Sequence, residues 1–104
     1  MNPEQLKRIL ASHALYLLTE GLDGEVANLS FADLKHANLS HASLRFANLR
    51  HSDLSFADLS HSDLRCANLS YTDLKGANLK SADLTDANLT GTDLTRAKID
   101  TLNS

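Results

Sequence analysis

A chain of 104 residues makes one domain and leaves no room for a second core. It is 42% hydrophobic and 22% charged, with a net charge of −3, too mild for a basic nucleic-acid binder, which needs clustered positive surface. Its single cysteine, Cys66, excludes an internal disulfide and supplies no metal-ligand set; it fits a reducing cytoplasm.

The chain begins with a helix signature. Asn2 stands as N-cap, Pro3 at the first helical position, and Gln5 three residues after Asn2 as in a capping box. Leu6, Ile9, Leu10, Ala14 and Leu17 form an apolar stripe at helical spacing, and Gly21 is the expected stop. The pattern predicts a helix over 3–20 inside an N-terminal unit of residues 1–22, with 23–26 as a link. Ser12 and His13 interrupt the apolar run from Ile9 to Leu18, and Thr19, Glu20 and Gly21 follow where small cleavage-site residues would belong, so an export signal is not expected. Nothing approaches the ~18 consecutive apolar residues of a membrane span. A cytoplasmic protein without membrane contact is the expectation.

From residue 27 to 101 an aliphatic residue recurs every five positions. Leu29, Leu34, Leu39, Leu44, Leu49, Leu54, Leu59, Leu64, Leu69, Leu74, Leu79, Leu84, Leu89 and Leu94 are followed by Ile99, fifteen units without a slip. Two positions before each stands Ala, or Ser52, Ser62, Thr72 or Thr92; one position before stands Asn or Asp, except at Ser43 and Lys98. A period of five matches neither the 3.6 of a helix nor the 2 of an ordinary strand. Small-x-Leu suits a short extended segment with Ala and Leu turned one way and the polar residue the other, and the remaining two residues make a turn. Four such sides close a coil of about twenty residues, and coils stack at ~4.8 Å.

Units such as Ala27-Asn28-Leu29, Ala57-Asp58-Leu59 and Ala77-Asn78-Leu79 resemble the A(D/N)LXX unit of the pentapeptide-repeat family, over about three quarters of the chain. The resemblance implies an all-β solenoid, a right-handed quadrilateral parallel β-helix, here of just under four coils with an N-terminal α-helical cap. The fifteen aliphatic residues are its expected core. Because a bare solenoid end invites edge-to-edge pairing, the N-terminal helix is read as a lid on the first coil, with a partner-binding amphipathic helix as the rival reading. At the other end the pattern frays at Ala97-Lys98-Ile99, and only a tail, 102–104, remains. An end-to-end homodimer through Leu94, Ile99 and Leu102 is therefore expected.

With twenty residues per coil the outside can be read in columns. An Asn column (Asn28, Asn48, Asn68, Asn88) is expected to hydrogen-bond to itself. An Asp column (Asp33, Asp53, Asp73, Asp93) is expected to raise the pKa of its inner members by like-charge repulsion, with Lys35 and Lys75 partly neutralising it; turn capping is its plainest role. The turn positions of the first two coils carry Phe31, His36, His41, Phe46, His51, Phe56, His61 and Cys66, and Tyr71 opens the third. With Arg45, Arg50 and Arg65 nearby, Phe31, Phe46, His51, Phe56 and Tyr71 form a candidate protein interface, since aromatics and Arg are what interfaces favour; the alternative is rings that only cover the coil corners. His41 over His61 makes a poor metal site, because a structural zinc wants four ligands.

No P-loop, dinucleotide fingerprint or nucleophile elbow is present, and a leucine-filled rod offers no concave site. A non-enzymatic protein-interaction module or small regulatory scaffold is expected, with an unidentified protein partner and no cofactor, metal or catalytic residue. The other reading comes from family members that resemble a DNA duplex and occupy gyrase. Nine acids against eight bases over 27–101 speak against it, and a nucleic-acid partner is not expected.

Overall fold

A computed structural model of the chain describes residues 1–100. Helix α1, Pro3–Leu18, starts as its sequence dictates: the Asn2 side chain accepts from the Gln5 N–H at 2.8 Å, and the Gln5 Oε1 accepts from the Asn2 N–H at 3.3 Å. It ends earlier than expected, with Thr19 as C-cap. The Thr19 hydroxyl donates to the Leu15 carbonyl at 2.8 Å, and the Gly21 N–H donates to the Tyr16 carbonyl at 2.9 Å. The left-handed position just after the cap is held by Glu20, at φ +55°, and Gly21, at φ +87° and two residues beyond the cap, supplies the closing N–H.

From Ala27 onward the chain returns to register every twenty residues. Asn28 bridges Asn48 in parallel, Asp33 bridges Asp53, Asn38 bridges Asp58, and Ser43 bridges Asp63. The same steps continue until β1, Asn78–Leu79, pairs in parallel with β2, Lys98–Ile99. Each side is too short for more than a bridge, because a turn follows every three extended residues. The ladder is nonetheless continuous. Leu49 N–H donates to the Asn68 carbonyl at 2.8 Å, His51 N–H to the Ser70 carbonyl at 3.0 Å, and Asn48 N–H back to the Ala27 carbonyl at 2.9 Å. Within each turn the N–H of the next small residue donates to the preceding Leu carbonyl, as from Ala57 to Leu54 at 3.0 Å.

The leucines converge as expected. Leu29 to Leu79 are all buried and, with Ala27, Ala47, Ala57, Ala67 and Ala77, form one core cluster. The hydroxyls that replace Ala are satisfied: Ser52 and Ser62 donate at 2.7 Å to the Leu49 and Leu59 carbonyls, and Thr72 donates to the Leu49 carbonyl at 2.8 Å. Leu84, Leu89, Leu94 and Ile99 are half-buried, because no coil lies beyond them among the described residues. Leu102 lies outside those residues.

Helix α1 lays Leu6, Ile9 and Leu10 against the core. Ala14, expected on the inward stripe, is exposed; its place is taken by His13, fully buried and the recipient of the Ala27 N–H at 2.9 Å on Nδ1.

Candidate interaction surface

The outer surface follows from one local motif. The Asn or Asp before each Leu accepts, through Oδ1, the backbone N–H two residues on: Asn48 from Arg50 at 3.1 Å, Asn68 from Ser70 at 3.0 Å, Asp53 from Ser55 at 2.9 Å, Asp73 from Lys75 at 3.0 Å. These are Asx turns. They overturn two expectations. The Asn column does not bond to itself, because each Oδ1 is spent on its own turn. Nor is Asp53, an inner member of the Asp column, pushed up. Asp53, Asp58 and Asp83 lie below the usual carboxylate range, chiefly because Ser55, Ser60 and Thr85 donate hydroxyl hydrogen bonds to them. Arg65 does the same for Asp63 at 2.9 and 2.8 Å, and Thr95 for Asp93. Local donors outweigh repulsion between coils in this exposed setting.

The second residue after each Leu occupies the corner. Every corner from Phe31 to Arg96 holds φ between +57° and +69°, which turns the side chain outward and stacks it over the one twenty residues on. Phe31 stacks on His51 at 4.9 Å between centroids, His51 on Tyr71 at 5.0 Å, His36 on Phe56 at 5.4 Å and His41 on His61 at 4.7 Å. Arg45 lies 4.9 Å over the Phe46 ring and Arg50 5.9 Å over Phe31. In two columns a glycine follows the last stacked ring. A Cβ on Gly76 would sit 2.6 Å from the Phe56 ring, and one on Gly91 would sit 2.5 Å from Tyr71. Gly76→Ala is expected to swing Phe56 out at a cost of about 1 kcal/mol, read as loss of the ring-current shift on His36; an unchanged shift would mean that the ring is not seated there.

The predicted interface residues therefore divide. Phe31, Arg50, His51 and Tyr71 share one corner, between side one (units at 27, 47, 67 and 87) and side two (32, 52, 72 and 92). Phe46, Arg45 and Arg65 lie at the opposite edge of side one. Phe56 belongs to the corner between sides two and three, diagonally across from Arg65, and is clasped between His36 and Gly76. Side one is distinctive: its four units, ANLSF, ANLRH, ANLSY and ANLTG, contain no carboxylate. Phe31, Phe46 and Tyr71 along its edges are 68%, 46% and 53% exposed. Among the described residues, neither Arg45 nor Arg50 pairs with an acid, whereas Arg65 is held by Asp63 and Lys35 reaches Asp53 at 3.7 Å.

His41 and His61 face each other as parallel rings, and no cluster of three or more His, Cys, Asp or Glu arranged to hold a metal occurs among the described residues. No helix among them is long and apolar enough to cross a membrane. One residue of consequence escaped the sequence reading: His13, whose Nε2 is buried without a partner. Its signal was its spacing from Leu6, Ile9 and Leu10.

The family model described as Pentapeptide repeats (8 copies) matches residues 27–65 and 62–99. The chain belongs to the pentapeptide-repeat family. A pentapeptide repeat protein from the Arabidopsis thaliana thylakoid lumen is 32% identical, over 74% of this chain and 53% of its own, with a TM-score of 0.70. The pentapeptide repeat protein Rfr23 from the cyanobacterium Cyanothece 51142 is 31% identical over 70% of this chain and 54% of its own, with a TM-score of 0.61. The chain thus spans about half the length of these two structures. No curated protein matches it significantly. The likeness implies the right-handed quadrilateral β-helix.

Proposed function

We propose that the chain is a non-enzymatic protein-interaction module: a solenoid of just under four coils, lidded by α1, whose partner seats on side one. The observation that carries this is the coincidence of exposed Phe31, Phe46 and Tyr71, and of Arg45 and Arg50 without acidic partners, with a side that has no carboxylate. Rings held in stacks lose little freedom on binding, which favours them as anchors. The grooves along the seam of α1 support a binding role over catalysis: the one bounded by Leu6, Leu10 and Leu34 offers only Lys7, Asp33, Lys35 and the chain's amino terminus as charged groups. Phe31→Ala with Arg50→Ala is expected to weaken partner capture about tenfold or more without lowering the melting temperature appreciably, while Phe56→Ala on the far corner leaves capture intact. Equal capture by all three chains would sink the assignment.

Mimicry of a DNA duplex has less support, because only side two carries an unbroken Asp column and Lys35 and Lys75 stand beside it. End-to-end pairing through Leu94 and Ile99 is favoured by their half-burial at the last described coil; an unaltered solution mass in Leu94→Arg would count against it.

A further inference from the structure

Sides one and two share the same turn and differ in one heteroatom. On both, Oδ1 of the residue before Leu is spent on the N–H two residues on, so the other heteroatom of the group is left for solvent. On side one it is the amide Nδ2 of Asn28, Asn48, Asn68 and Asn88, a donor; on side two it is the carboxylate Oδ2 of Asp33, Asp53, Asp73 and Asp93, an acceptor. Among the described residues no hydrogen bond takes any of the four Nδ2 groups, and of the four Oδ2 atoms only that of Asp53 is engaged, by Lys35 Nζ. The molecule thus presents a ladder of donors beside a ladder of acceptors, one group per coil in each. Both repeat at the same ~4.8 Å, because the same coil spacing sets them. The other sides have no such ladder: side three runs Asn38, Asp58, Asn78, Lys98, and side four starts with Ser43.

We propose that the partner of side one is side two of a second copy, the two rods lying alongside one another with each Asn amide donating to one Asp carboxylate. This rests on reading side one as the interaction surface. The pitch match lets every rung meet its counterpart without distortion. The two sides meet at the corner of Phe31, His51 and Tyr71, so the contact also covers the exposed rings of that column. Adjacent sides of a four-sided rod stand at about a right angle. A side-one to side-two contact is heterologous, and successive quarter turns close it into a ring of four with the aromatic corners at the centre, not an open filament.

Sedimentation of the full chain at about 100 µM, well above a micromolar Kd, tests this. The expected result is a mass above the 11.3 kDa of one chain, up to four chains. In the Leu94→Arg background, which removes end-to-end pairing, Asn48→Asp with Asn68→Asp is expected to return it to one chain by setting carboxylate against carboxylate. That variant keeps the melting temperature of its background, since Asp caps the same turn on side two. Mixed with Asp53→Asn/Asp73→Asn in the same background, in which the acceptors have become donors, it is expected to assemble again. A monomeric wild type, an assembly that survives Asn48→Asp/Asn68→Asp in that background, or a mixture that stays monomeric would overturn the proposal. A monomeric wild type that still captures a partner through Phe31 and Arg50 would sink self-association alone and spare the broader reading.

Discussion

Leu69→Asp is expected to abolish the cooperative thermal transition. Leu69 is fully buried in the middle of the leucine column, its own N–H committed to the Asn88 carbonyl at 2.9 Å. The backbone N–H groups around it are likewise spent on the ladder between coils, so a carboxylate there would find no donor. Burying such a charge costs several kcal/mol, against a total margin of about 5–15 kcal/mol for a domain. The architecture sharpens the loss. Each coil is stabilised by its neighbours, so a failed middle coil leaves two short stacks that cannot stand alone. Leu69→Ala should cost about 2–5 kcal/mol and keep the transition, and Leu94→Asp, at the half-buried end, should be the milder charge. A calorimetric scan of the three separates these outcomes. A cooperative peak from Leu69→Asp would mean that the leucines do not point inward.

Acid is expected to loosen α1, through His13. Nδ1 accepts the Ala27 N–H, so in the neutral ring the proton sits on Nε2. A second proton must go to Nδ1 and destroys that bond. Burial holds the pKa of His13 below the ordinary imidazole value; the Arg45 backbone, close to the ring but not in hydrogen-bonding geometry with Nε2, offsets this only in part. The neutral form is therefore favoured by folding: the stabilisation is complete above the unfolded value of about 6.5 and is lost as pH falls through the lower folded value. The melting temperature should drop between pH 7.5 and pH 5. His13→Asn, which keeps an acceptor but takes no proton, is expected to flatten that drop. His13→Ala leaves the Ala27 N–H unpaired over a cavity and should cost about 2–4 kcal/mol at every pH. The corner residues are the same in all three chains, so whatever they contribute cancels in the comparison. An identical pH profile for His13→Asn and the parent would remove His13 from the account.

The stacking and the inward leucines were legible from one constraint, an aliphatic residue every five positions, whereas the right-handed quadrilateral coil came from the family resemblance. What was hidden lay in choices the period does not make. His13 looked like a break in an apolar run, yet it is four residues after Ile9 and three after Leu10, on the same helical stripe. Hydropathy cannot rank a ring that is polar by composition and inward by position. The aspartate column read as a row of repelling charges because spacing is visible in a sequence, whereas the Ser55 and Thr95 hydroxyls that favour the ionised forms of Asp53 and Asp93 become visible only with the turn geometry. The aromatic girdle likewise read as one belt. Counting units modulo four assigns Phe31 and Phe56 to different corners, and that arithmetic was available from the residues alone.

The left-handed corners carry a further consequence for how such chains can be altered. That backbone conformation strains most side chains and is easiest for glycine, asparagine and aspartate. Half of the six corners in the later coils obey the preference, with Gly76, Asp86 and Gly91, whereas the earlier coils place Phe31, Phe46 and Phe56 there. A bulky ring is a costly way to bend a chain, so at those three points the bend and the ring answer to separate demands. The corners are thus addressable positions, about one coil spacing apart along each edge, where a designer could exchange the decoration of the rod while its leucine interior stays untouched.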